Sequence, residues 1–317
     1  MKPALVEGGA GERPRWRGLP GGRRLVIGMP YLWLLLFFLL PFLIVLRISF
    51  AEMDGATISN LVSFADQDLV FRLKLGNYAT IFQDDIYWSA YGRSLMYAGV
   101  TTVFCLLIGY PFAYFMARAS AAVQPLLLMA VMLPFWTSFL LRVYAWKGLL
   151  DAQTGWVGRL LIHLHADHLL LALGLIPSAG EFMYSPFSLV LGMVYTYLPF
   201  MLLPLYATLA KLDLNLLEAA QDLGATPWQA FWRVTVPISR SGIIAGSMLV
   251  FIPCVGEYVI PELLGGPETL MIGRVLWDEF FSNNDWPLAS GVAVIMVLLI
   301  IVPLAIFNNS QAKVARA

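Results

Sequence analysis

Charge is scarce in this sequence. Only 13% of its 317 residues are Asp, Glu, Lys or Arg, about half the ~25% of a soluble domain. A chain so poor in charge cannot cover a surface facing water, so lipid must be a large part of its solvent. The basic and acidic side chains cancel to a formal net charge of zero, which argues against nucleic acid as a partner. There are two cysteines, Cys105 and Cys254, each within an apolar stretch. Both read as small buried hydrophobes rather than halves of a disulfide. No G-x-x-x-x-G-K-[S/T] occurs, so nothing can cradle nucleotide phosphates, and neither a catalytic set nor a cofactor is assigned. Histidine is confined to His163, His165 and His168. A metal there would need a further ligand such as Asp167 and a rigid frame, and none is assigned.

Apolar residues supply what charge does not: 59% are hydrophobic, with a mean hydropathy of +0.74. About 20 apolar residues cross a bilayer as a helix. Six stretches qualify: 25–50, 95–117, 123–144, 187–210, 243–264 and 288–307. The fold expected is all-α and integral to the membrane, with six transmembrane helices. The first stretch is too long for a signal-peptide core, no small-residue cleavage pattern follows it, and it is expected to persist as a span. Leu169–Ile176 is too short to span and is expected at the membrane surface. Arg13, Arg15, Arg17, Arg23 and Arg24 precede the first span, and Arg118, Lys211, Arg233 and Arg240 fall on the same side of the resulting topology. The positive-inside rule then puts both termini in the cytoplasm. The organisation expected is a cytoplasmic tail at 1–22, a membrane domain at 23–310 and a second tail at 311–317. Prolines such as Pro111, Pro134, Pro199 and Pro253 recur within the spans and imply kinked helices.

Between the fourth and fifth spans, residues 212–237 parse as helix, turn, helix. Asp213 or Asn215 can cap the first helix, which carries Leu216, Ala220 and Leu223 on one face. Gly224 stands where a left-handed residue is needed. Thr226 can form a capping box with Gln229, Pro227 falls at the first helical position, and Pro237 is expected to end the second helix. Leu216, Leu223, Trp228, Phe231 and Trp232 are more apolar surface than so short a pair can bury, which points to a protein interface; packing on the chain's own helix ends is the other reading.

The spacing E-A-A-x-x-x-G-x₉-V-x-V-P, Glu218 to Pro237, resembles the EAA loop of ABC importer permeases, with Val234 and Val236 where that pattern has Ile and Leu. The stretches Leu133–Trp146, Gly256–Pro267 and Met271–Phe281 are similar to the polyamine permeases of that family, in particular the putrescine-type subunit. The likeness implies the type I importer permease fold. It also implies that Glu218, Ala219, Ala220, Gly224 and Pro237 couple to an ATPase. The partners implied are a second permease subunit forming a heterodimer, two copies of an ATP-binding subunit, a periplasmic polyamine-binding protein and the lipid bilayer. The place implied is a bacterial inner membrane. Such a subunit is no enzyme, the ATP being hydrolysed by its partner. Residues 1–22 carry no such likeness.

Glu257 is the one acid expected within a span, and an intramembrane carboxylate is a functional candidate by default. It reads either as a transient partner for a cargo ammonium group or as a structural residue. Aromatic faces attract cations, so Trp136, Tyr195, Tyr197, Phe200 and Tyr258 are pathway candidates, with packing or an interfacial belt as the alternative. Asp278 and Glu279, beside Trp277, can receive cargo, dock the delivery protein or simply face water. Arg142 and Lys147 are expected to snorkel to the outer interface. Two other readings remain open: the same family with different cargo (ferric iron, sulfate or an amino-acid derivative), and an ion-coupled secondary transporter.

Overall fold

The computed structural model describes residues 22–314, apart from positions 56, 60–61, 66–67 and 72–73. The N-terminal tail expected at 1–22 therefore lies outside the described residues except for Gly22. Met1–Arg47 form one unit and Ile48–Ala317 a second. The first contains most of α1 (Leu25–Ser49), an uninterrupted apolar helix that widens into a π turn at Leu35–Leu39.

The second unit opens with two small antiparallel hairpins. Strand β1 (Met53–Asp54) pairs with β2 (Thr57–Ile58), and β3 (Val62–Ala65) with β4 (Asp68–Phe71). A short helix α2 (Gly76–Gln83) follows, then α3 (Asp85–Arg118). The Asp84 side chain caps α3 by accepting from the Ile86 amide at 2.9 Å. The helix begins ten residues before the apolar stretch expected at 95–117, because its first turns are amphipathic and fall below a hydropathy threshold.

The stretch expected as a span at 123–144 is divided. Helix α4 (Gln124–Trp136) and α5 (Phe139–Leu149) meet at 91°. Pro134 donates no amide, and both the amide and the hydroxyl of Thr137 turn back to the Pro134 carbonyl, the hydroxyl at 2.8 Å. That closes the helix in a 3₁₀ turn and lets the chain leave in a new direction. Two short helices come next, α6 (Trp156–His163) and α7 (Ala166–Ala172). Only the first half of Leu169–Ile176 is therefore helical, and Gly174 turns the chain at φ 68°.

The long helix α8 (Pro186–Leu209) starts at a capping box between Ser185 and Ser188. After it come α9 (Asn215–Asp222) and α10 (Pro227–Ile238), and a 64° bend at Ser239 leads into α11 (Arg240–Val255). Within the stretch expected as a span at 243–264, the helix stops at Val255 and resumes as α12 (Val259–Leu264). The chain closes with α13 (Ile272–Trp277) and α14 (Trp286–Val314), whose last residues occupy the region expected as the 311–317 tail. Among the described residues four helices are long and apolar enough to cross a membrane, and up to six spans result if each bent pair counts as one.

The core of the second unit lies where α3, α8 and α11 pack against one another. It buries Cys105, Met116, Leu189, Met193, Met201, Leu205, Val250 and Cys254. Helices α8 and α11 approach each other closely. A Cβ on Gly246 would stand 2.8 Å from the Met201 sulfur, and one on Gly242 2.6 Å from the Thr208 hydroxyl and 2.9 Å from the Pro204 carbonyl. Glycines four residues apart put two bare patches on one helix face, so the backbones meet through dispersion contacts that lipid cannot replace.

Candidate coupling surface and the Glu257 cap

The segment 212–237 folds largely as its local chemistry dictates. The Asp213 carboxylate accepts from the Asn215 amide at 3.1 Å. Gly224 takes φ 85°, a conformation that costs an ordinary residue about 1–2 kcal/mol. The Thr226 hydroxyl accepts from the Gln229 amide, and Gln229 Oε1 accepts from the Thr226 amide at 3.1 Å, completing the capping box. Pro237 sits exposed in the last turn of the second helix, which ends one residue later at Ile238 after a π turn at Phe231–Thr235.

One side of this helical pair has no cover among the described residues: Leu223 is 90% exposed and Trp228 68%, with Leu216 and Trp232 about half exposed. Glu218, Ala219 and Gly224 are exposed beside them, and Ala220 is half-buried. The other side is anchored. Phe231 meets Tyr110 and Tyr114 of α3 edge-on, and the Tyr110 hydroxyl lies 2.8 Å from that of Ser239. Between anchor and surface is a hollow of about 220 Å³ lined by Tyr114, Arg118, Glu218, Gln221 and Thr235 among others. The Arg118 guanidinium stacks 4.5 Å above the Tyr114 ring.

Glu257 occupies the gap between α11 and α12 and is 9% exposed. Its Oε1 accepts from the amides of Tyr258 (3.1 Å), Val259 (3.0 Å) and Ile260 (3.4 Å). Its Oε2 accepts from the Tyr197 hydroxyl. A carboxylate at the first amides of a helix satisfies groups with no intrahelical acceptor, so both oxygens are engaged by the chain itself. The break after Val255 follows from the same contacts. Glu257 folds back on the backbone, and Pro261 supplies no amide to a continuing ladder.

The aromatic candidates fall into separate groups. Tyr197 leads through Phe200, at 6.1 Å, to Phe135, at 5.2 Å. Tyr258 stacks face to face on Trp277 at 4.5 Å and 8°, and Trp277 leans on Phe281 at 4.1 Å. Tyr195 meets Trp146 edge-on at 5.3 Å. Trp136 stands apart, 79% exposed, at the end of α4. Of the two acids beside Trp277, Glu279 accepts from the Tyr87 hydroxyl (2.8 Å) and the Asn283 side-chain amide (2.9 Å). Asp278 is 4.0 Å from Arg274, which pairs more closely with Glu262 at 2.7 Å. Among the described residues no group of three or more His, Cys, Asp or Glu is placed to hold a metal, and His165 and His168 stack ring on ring.

Sequence reasoning did not find Tyr197 as the donor to Glu257, sixty residues away, nor Phe231 as the anchor. The Gly242–Gly246 spacing was a readable signal for the α8–α11 contact.

The comparisons with known proteins agree with this architecture. The chain is 38% identical over 284 residues to a Haemophilus influenzae protein named "Spermidine/putrescine transport system permease protein PotB", covering 88% of this chain and 92% of that one. It is 36% identical to the Escherichia coli protein of the same name, covering 84% and 90%. A solved structure of a bacterial ABC transporter involved in alginate import shares the fold, with a TM-score of 0.61 at 17% identity, over 92% of this chain and 96% of that one. Residues 105–316 match the family described as the binding-protein-dependent transport system inner membrane component. The chain belongs to that family of inner membrane components of binding-protein-dependent transport systems.

Proposed function

We propose that this chain is the channel-forming permease subunit of an ATP-driven polyamine importer. It pairs with a second permease subunit in a bacterial inner membrane, both termini in the cytoplasm. Each permease subunit binds one copy of an ATP-binding subunit, this chain at 212–237, and a periplasmic binding protein delivers putrescine or spermidine. The observation that carries the cargo is the identity of 36–38% with spermidine/putrescine permeases over most of the chain. The hydrophobic surface of Leu223, Trp228 and Trp232 beside Glu218 is suited to a groove on another protein.

In this reading, closure of the ATPase pair moves the exposed side of α9 and α10, and Phe231 passes the movement to α3. ATP and cargo drive alternating access only through their differential affinity for the two states. The cargo path then runs over aromatic faces, Tyr195, Phe200, Tyr258 and Trp277 among them, with Asp278 near the outer mouth. Glu257 holds the α11–α12 break open instead of pairing with cargo, since its acceptor sites are taken by the chain.

The test is uptake of labelled putrescine and spermidine by cells lacking the chain, complemented with the native chain or Glu218→Lys. Rescue by the first and not by the second is expected. Unchanged polyamine uptake in deleted cells with no other polyamine importer would refute the cargo.

A further inference from the structure

Arg118 is the last residue of α3, a place where a basic side chain ordinarily covers the final carbonyls of its helix. Here Gln124 does that instead. Its side-chain amide donates to the carbonyls of Ala117 (3.3 Å) and Ala119 (3.0 Å), and its own side-chain oxygen accepts from the Tyr206 hydroxyl at 3.2 Å. Arg118 is exposed and lies folded back over the Tyr114 ring. Among the described residues its guanidinium meets neither a carboxylate nor a carbonyl.

A guanidinium stacked on a ring has one face covered and its edge of N–H groups left over, a fork that matches the two oxygens of a carboxylate. Arg118 borders the hollow of about 220 Å³, to which α9 contributes Leu217, Glu218 and Gln221. Glu218 shares that hollow without pairing with Arg118. It also belongs to the exposed side that carries Leu223 and Trp228, so hollow and surface are continuous. The surface thus presents an apolar centre with an anion and an unpaired cation beside it, and opposite charges at separate points fix the register of a partner. A relay of rings ties the cation to the apolar centre. Trp228 stacks on Phe231 at 5.9 Å and 18°, Phe231 meets Tyr114 at 6.0 Å and 80°, and Tyr114 carries Arg118.

We propose that Arg118 belongs to the docking surface for the ATP-binding subunit, which sends an Asp or Glu carboxylate into the hollow to take the guanidinium fork. The proposal rests on the docking at 212–237 set out above and adds a contact from α3, outside that segment. A pull on Arg118 then acts on α3 directly, in parallel with the route through Phe231.

The test places this chain and the second permease subunit together in lipid nanodiscs and titrates them with the ATP-binding subunit, without cargo. One of the two docking sites carries each change, so half of the binding isotherm is expected to respond. Arg118→Gln is expected to weaken that half about tenfold and Arg118→Glu further, with Arg118→Lys between the native chain and Arg118→Gln. Changing one surface carboxylate of the ATP-binding subunit to Arg is expected to restore that half with Arg118→Glu. Such rescue is impossible for a misfolded chain, so it separates docking from folding. An unchanged isotherm with Arg118→Glu overturns the proposal. So does rescue by Glu218→Arg in this chain, which would mark an internal ion pair. Weakening that no carboxylate reversal restores, the result a lipid phosphate in the hollow would give, overturns it too. Leu223→Asp probes the docking reading by itself. If it spares the isotherm, docking at 212–237 fails and the proposal with it; if it weakens the isotherm while Arg118→Gln does not, only the α3 contact fails.

Discussion

Phe231 and Tyr110 face each other edge to plane, their ring centroids 5.6 Å apart at 88°, and so join the exposed helical pair at 212–237 to the core helix α3. Such an aromatic pair contributes about 0.5–1.5 kcal/mol beyond the area it buries. Phe231→Ala is expected to leave ATP hydrolysis by the assembled importer near its native rate while uptake falls severalfold. Phe231→Leu, which keeps bulk, should recover part of the loss. Equal loss of both activities would mean that the ring merely holds the fold.

The four donors on Glu257 predict a structural phenotype. Hydrogen bonds to a charged group are worth about 1.5–3 kcal/mol. Glu257→Gln keeps the shape and removes the charge, and a cost of roughly 2 kcal/mol is expected, visible as a lower melting temperature of the purified chain. Tyr197→Phe should lower it less. A raised KM for cargo with an unchanged melting temperature would instead make Glu257 a cargo contact.

Gly246 predicts an overpacking defect. Adding a branched side chain where the Met201 sulfur lies 2.8 Å from the would-be Cβ costs about 1–3 kcal/mol. Gly246→Val should sharply reduce the yield of folded chain in membranes. Gly99→Ala, which meets nothing within 4 Å and favours the helix, should not.

Asp151 predicts a pH dependence. Its carboxylate accepts from the Thr154 amide and hydroxyl and from the Gln153 amide, and these bonds hold its pKa below the usual carboxylate value. A lowered folded-state pKa contributes stability above the unfolded value, and that contribution disappears as pH falls through the folded one. Amide protection at Gln153 and Thr154 should be constant near neutrality and decline below about pH 4. In Asp151→Asn it should be weaker and no longer follow that decline.

What was legible in the sequence was local. Gly224, Thr226 and Gln229 act on neighbours within three or four positions, so their turn and capping box follow from residue types alone, and long apolar stretches announce spans by composition. Breaks inside such stretches are not visible in that way. Pro134 announces a kink, but only the Thr137 contacts with its carbonyl and the 91° between the flanking helices show how sharply the chain turns there. Glu257 read as a lone intramembrane charge because its partners are backbone amides, which have no sequence signature, and a tyrosine far upstream. Pro237 read as a terminator, and the helix ends one residue beyond it, but the π turn before it has no such signature.

The 64° bend at Ser239 makes α10 and α11 the two arms of a bell crank with its pivot at the Tyr110–Ser239 contact. A thrust delivered to the α10 arm, the docking surface in the function proposed here, emerges in the other arm as tilt. That arm is meshed with α8 at Gly242 and Gly246, so the tilt is inherited by the helix bearing Tyr195, Tyr197 and Phe200. In the function proposed here, travel of the docking arm is thereby geared into a reorientation of aromatic rings, with neither arm having to slide along its own axis.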